Sequence, residues 1–148
     1  MNGFLDHLHS CVAACFIKAT NGLVEAAEPY FAADQPFIER LINGALAGLR
    51  VARSSPTMIS MTSPQELAAT HRAAERSEAW RTEIVDTLAE RFRTAAPGEV
   101  RTDVSAQMMA GWVVRVCFSL IEDPGDPDAG GDEALLRAFL PGIIRPQV

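Results

Sequence analysis

One stretch constrains this chain more than any other: "TDVSAQMMAGWVVRVCFSLIEDPG", from Thr102 to Gly125. Between Val104 and Ile121 it carries a single charge, Arg115. Thr102 or Asp103 is expected to cap a helix of about five turns there, and Pro124 with Gly125 to stop it. On a helical wheel Met109, Trp112, Val113, Val116 and Leu120 share one broad face. Met108, Gly111, Arg115 and Phe118 share another. A helix apolar all round is normally buried on all sides. Either it is wrapped inside one bundle, or one face packs inward and the other meets a second chain. The second solution is the simpler in a chain this short. The last helix, with Leu135, Leu136 and Phe139, can lie beside it. Two such helices from each of two chains make a symmetric four-helix interface, the commonest oligomer geometry. Met108, Arg115, Phe118, Leu135 and Phe139 are the residues expected there.

The 148 residues fit one domain, 1–148, and 48% apolar content is enough to bury a core. No apolar run reaches the roughly 18 residues of a membrane span. Ser105, Gln107, Arg115 and Ser119 interrupt the nearest one. The formal charge is -6, Lys18 is the single lysine, and the arginines are dispersed. Such a chain is not expected to hold nucleic acid by itself. The segment Glu122 to Glu133 has six acids and no base; it reads as a solvated loop, or less simply as an interaction site. The N-terminus lacks a basic lead into an apolar run, so it does not read as a signal peptide. Three cysteines without a CxxC pair fit free thiols in a reducing compartment. The expected location is cytoplasmic, with no membrane partner.

Helical spacing runs through the rest. Phe4, Leu8, Val12, Cys15, Phe16, Ala19, Leu23 and Ala26 make one face of a first helix that Pro29 should end. Asp34 should cap a second helix, with Pro36 in its first turn and a stripe of Phe37, Ile38, Leu41, Ile42, Ala45, Leu46 and Leu49. Gly44 and Gly48 on that stripe cost helix stability; they imply close approach of another helix or room for a ligand. Ser55-Pro56 can open a short helix, and Ser63-Pro64-Gln65-Glu66 reads as a capping box. Trp80, Ile84, Leu88 and Phe92 step by four through the next, which Ala95-Ala96-Pro97-Gly98 closes. Asp132 should cap a last helix ended by Pro141-Gly142. No segment alternates with period two. The fold class is all-α, a multi-helix bundle.

The order "RTEIVDTLAERFRTAAPGEVRTDVSAQMMAGWVVRVCFSLI", an acidic loop, then "DEALLRAFLPGII" resembles the C-terminal domain of TetR-family transcriptional regulators. Leu88, Arg91, Gly98-Glu99, Arg101, Asp103, Ala110, Arg115, Ser119-Leu120 and Leu136 through Gly142 carry the resemblance. The helix order extends it back to Phe37; the motifs begin near Arg81. The resemblance implies a bundle that dimerises through its last two long helices and binds a small effector. It further implies that the effector resets two helix-turn-helix heads on operator DNA. That head is absent from this sequence, and 1–29 corresponds to the helix that would follow it. Operator DNA is therefore a partner only through an N-terminal head.

The candidate chemistry is sparse. His7 and Cys11 stand four apart and can share a metal, whereas His9 points away. Solvent-facing or pocket-lining side chains are the simpler reading, and no metal or other cofactor is expected. Cys117 sits mid-helix among apolar residues, where a thiol behaves as a small hydrophobe. No serine has a catalytic context and no glycine-rich phosphate loop follows a strand, so an enzyme is not expected. Phe16, Phe37, Leu41, Met58, Met61, Trp80, Met109 and Trp112 are the candidate lining of an effector pocket, each also suited to ordinary core. Arg115 needs a partner if buried: an acid across the dimer, a ligand carboxylate, or an interface rim to which it snorkels. The function implied is the effector-binding and homodimerising part of a TetR-like regulator. Its ligand would be a small apolar or amphipathic molecule. The alternative is a stand-alone helical ligand- or metal-binding protein without a DNA role.

Overall fold

The computed structural model describes residues 2–147, apart from the side chains of residues 2, 5 and 9. The elements are α1 (Asn2–Phe31), α2 (Phe37–Ser54), α3 (Pro56–Met61), α4 (Leu67–Glu75), α5 (78–93), α6 (Ala106–Glu122) and α7 (Gly131–Ile144). A short 3-10 turn, Pro127–Ala129, precedes α7. There is no strand among the described residues. The chain is an all-α multi-helix bundle, as its periodicity predicts. Among the described residues, no helix is long and apolar enough to cross a membrane.

Two prolines do not stop their helices. Pro29 lies inside the last turn of α1, which runs on to Phe31. A proline so near the end removes one backbone bond, and the Ala32 amide still donates to the Glu28 carbonyl at 3.2 Å. Pro141 likewise lies inside α7. There Ile144 is fully buried, and its carbonyl accepts the Arg101 amide at 2.8 Å, so the final turn is held.

Several caps differ from the expected ones. Asp34 is exposed and does not cap α2. The Phe37 amide instead donates to Glu99 Oε1 at 3.0 Å, an acceptor delivered from the loop before α6. Glu99 Oε2 accepts the Ala96 amide at 3.1 Å. These bonds, the one to Phe37 foremost, hold the Glu99 carboxyl below its ordinary range. Ser63 to Glu66 form a turn, and α4 starts at Leu67 with no side-chain cap. Ser55 does cap α3, accepting the Met58 amide at 3.3 Å. At α6 the cap is Ser105, which accepts the Met108 amide at 3.1 Å. Asp103 is committed to a two-bond pair with Arg101 at 2.8 and 2.6 Å. Asp132 is no cap either. Gly130, at φ +95°, precedes α7, and Asp132 lies buried in the first turn. It accepts the Gly125 amide at 2.8 Å and pairs with Arg53.

Helix α5 is one rod with a π-helical segment, Arg81–Val85, in which the Asp86 amide reaches back to the Arg81 carbonyl. Buried residues fall into two clusters. The larger joins Phe37, Leu41, Ile42, Phe92, Met109, Val113, Leu136, Leu140 and Ile144 across α2, α5, α6 and α7. The smaller joins Phe16, Ile17, Met58, Trp80, Ile84 and Phe118. Within it Phe16 stacks on Trp80 with centroids 5.2 Å apart, and Phe118 lies 5.1 Å from Phe16. His71 meets Phe118 edge-on at 5.3 Å, and its Nε2 is buried without a partner. Burial lowers its pKa, against the opposing pull of Glu75 and Glu122.

Replacing Phe16 by Ala empties the centre of the smaller cluster and is expected to cost about 3–5 kcal/mol in urea unfolding. Glu99→Ala is expected to lower the melting midpoint at neutral pH. A carboxyl whose folded-state pKa is depressed stabilises above its ordinary value and loses that effect as pH falls through the folded one. The gap between wild type and variant therefore closes in acid; a gap independent of pH would refute the capping role.

Candidate ligand cavity

The two core clusters do not fuse completely. Between them lies an apolar cavity of about 110 Å³, partly open to solvent. Helix α1 contributes Thr20, Leu23, Val24, Ala27, Glu28 and Phe31 to its wall. The glycine stripe of α2 forms the facing wall, with Leu41, Ala45 and Leu49 around Gly44 and Gly48. Ile84, Thr87, Leu88 and Arg91 enter from α5, and Val113, Val114, Cys117, Phe118 and Ile121 from α6.

The glycines do both things their position implied. A Cβ at Gly44 would stand 3.3 Å from Ala27 Cβ and from Phe31 Cε2, so α1 sits tight against α2 there. At Gly48 the nearest atom would be the Leu23 carbonyl oxygen at 3.5 Å. Their missing side chains also border the cavity.

Polar groups on the lining are few. The Thr20 hydroxyl donates to the Phe16 carbonyl at 2.8 Å. Among the described residues, Glu28 and Arg91 are the charged ones of the wall, and they pair with each other, both partly exposed. Arg91 also lies over the Phe31 ring, 5.6 Å from its centre. Burial, helped by the Asp132 carboxylate, pushes the Cys117 thiol up to about 12, so it stays protonated.

Of the residues expected to line a pocket, Leu41 borders this cavity. Phe37 and Met109 fill the larger core, and Phe16, Met58 and Trp80 the smaller one. Met61 packs partly buried against the smaller cluster, and Trp112 is exposed on α6. Of the residues expected at a dimer interface, Met108, Arg115, Leu135 and Phe139 are exposed. Phe118 is not on that face: it is buried in the smaller cluster and borders the cavity. The inner half of α6 therefore holds Met109, Ala110, Val113, Cys117 and Phe118, and the outer half Met108, Trp112, Arg115 and Ser119. Arg115 answers to Glu75 of α4 at 3.5 Å, a surface pair of small energetic weight.

Near the start of α1, Cys11 Sγ lies 3.7 Å from His7 Nε2, both exposed. The His9 side chain lies outside the described residues. Among the described residues, no three potential metal ligands gather. Comparison with known proteins finds no matching family model, no matching curated protein and no matching solved structure.

Thiol labelling checks this placement. Cys11 and Cys15 are exposed and should react at once with a thiol reagent at mildly alkaline pH, whereas Cys117, half-buried on the cavity wall with its thiol held protonated, should react far more slowly. A native chain that titrates all three thiols equally fast would contradict the inward placement of Cys117.

Proposed function

We propose that this chain is the effector-binding and self-associating part of a TetR-like transcriptional regulator, acting in the cytoplasm. The observation that carries the reading is an exposed apolar set on α6 and α7. Met108 is 67% exposed, Phe139 66%, and Trp112 and Leu135 39% each. The two helices run antiparallel. The Arg101 amide ahead of α6 bonds the Ile144 carbonyl at the end of α7, and Gly125 after α6 bonds Asp132 at the start of α7. Arg53 ties the latter end further, reaching both the Leu120 carbonyl and Asp132. Large exposed apolar side chains on these two helices suit a protein–protein contact. A second copy offering the same pair would close a two-fold four-helix interface.

The cavity supplies the second half of the reading. It is apolar, bordered by four long helices, and separate from the proposed interface, so a ligand and a sister chain can bind together. Helix α1 lines the cavity over several turns and is the element through which a bound ligand would act on an N-terminal DNA-binding head. Operator DNA would be contacted through such a head, since these residues carry a charge of -6. The same cavity would also serve a stand-alone ligand-binding protein, and the comparison of oligomeric state with ligand binding separates the two.

Sedimentation equilibrium at micromolar concentration is expected to show a dimer. Phe139→Glu places a charge in the interface and should weaken the dimer at least about tenfold, while helix content stays unchanged. A wild-type chain that sediments as a monomer would refute the reading.

A further inference from the structure

The cavity walls also define what chemistry can occupy the space. Besides the Thr20 hydroxyl the lining carries the hydroxyl of half-buried Thr87, and its charged residues are paired. The Thr20 hydroxyl already donates a hydrogen bond to the Phe16 carbonyl. Cys117 is a neutral thiol, and Glu28 and Arg91 neutralise each other at the solvent side. Among the described residues, the buried polar atoms without partners are Arg40 Nε and His71 Nε2, and neither residue borders this cavity. A charged ligand group carried inside would lose its water and find no free charge to replace it. An apolar ligand would recover the dispersion contacts that the empty space forfeits.

Size narrows the class further. An apolar cavity of about 150 Å³ stays dry and accepts benzene. Here the volume is about 110 Å³ and the cavity is partly open, so a ring can enter with its edge or a short substituent toward solvent. Phe31 and Phe118 stand on the wall, able to meet a ring edge or face. We infer that the site between α1, α2, α5 and α6 takes a neutral single-ring hydrocarbon or an alkyl-substituted relative, and rejects the carboxylate and ammonium of the same size. This ligand class rests on the proposed role of the cavity as the effector site.

Toluene, benzoate and benzylammonium serve as matched probes on the full chain. Toluene is expected to raise the melting midpoint by about 2–4 °C at saturation and to show saturable binding by ligand-observed NMR. Benzoate and benzylammonium are expected to bind at least about tenfold more weakly. Ala45→Leu on α2 and Val114→Phe on α6 fill the cavity from opposite walls, and either should abolish the toluene response in a folded protein. Benzoate binding as tightly as toluene, with loss in Arg91→Gln, would overturn the inference and make Arg91 a carboxylate receptor. Toluene binding unchanged in both filled variants would overturn it too. Sedimentation of the same samples keeps the two ideas apart. A dimer that ignores toluene refutes the ligand class alone; a monomer whose toluene response the filling variants abolish refutes the regulator reading alone.

Discussion

The contact of α1 with α2 governs the rest of the bundle. At Gly44 no room is left for even a methyl group without displacing Ala27 or Phe31. With the two longest helices pressed together along this line, the space beside it must be filled from α5 and α6. Ile84, Leu88, Val113 and Phe118 reach toward it from those helices and stop short. The remaining void follows from that close contact. Larger side chains at 44 and 48 would move α1 away and change the cavity from both walls at once.

Electrostatics fasten the pieces that packing leaves loose. Glu99 joins the start of α2 to the loop before α6, and Arg53 joins the end of α2 to the α6–α7 connection. Glu28 and Arg91 tie α1 to α5 across the cavity mouth. The first two ties hold opposite ends of one helix, so α2 acts as a post between the terminal pair and the rest. The acidic loop between α6 and α7 is organised in part by Asp132, whose buried carboxylate is met by a guanidinium and a backbone amide. That local neutralisation is why a loop so rich in acids can still fold back on the bundle.

Helix number, order and approximate limits were legible in the sequence because apolar spacing dictates them. The caps were less so. Glu99 serves a helix that begins at Phe37, and no local pattern announces a cap delivered from so far along the chain. Asp132 looks like a cap, but its oxygens are taken by partners from α2 and from the preceding loop. Prolines 29 and 141 looked like stops, yet each fell within a final turn held by other contacts. The cavity was hardest to see. Aromatic and methionine side chains mark where volume is filled, whereas a void opens where small residues from two helices coincide. Ala27, Gly44, Ala45 and Gly48 are its signal in the sequence, and of these only the glycines depart from an ordinary helix stripe. On α6 the wheel was right about two faces but exchanged Trp112 with Phe118. The inner arc is set by which side α2 and α5 occupy, and that is tertiary information.

The π segment of α5 works as a phase corrector. In a regular α-helix, residues four apart advance round the axis with every step, so Trp80, Ile84, Leu88 and Phe92 would spiral off a common line. A π turn, bonding one residue further back, turns the chain through less angle per residue and cancels part of that drift. The segment Arg81–Val85 therefore lets one rod present Trp80 and Ile84 to the smaller core and Phe92 to the larger. It also sets the azimuth at which Arg91 meets Glu28. In length the bulge is a single extra residue; its effect is to let one helix serve both cores at once.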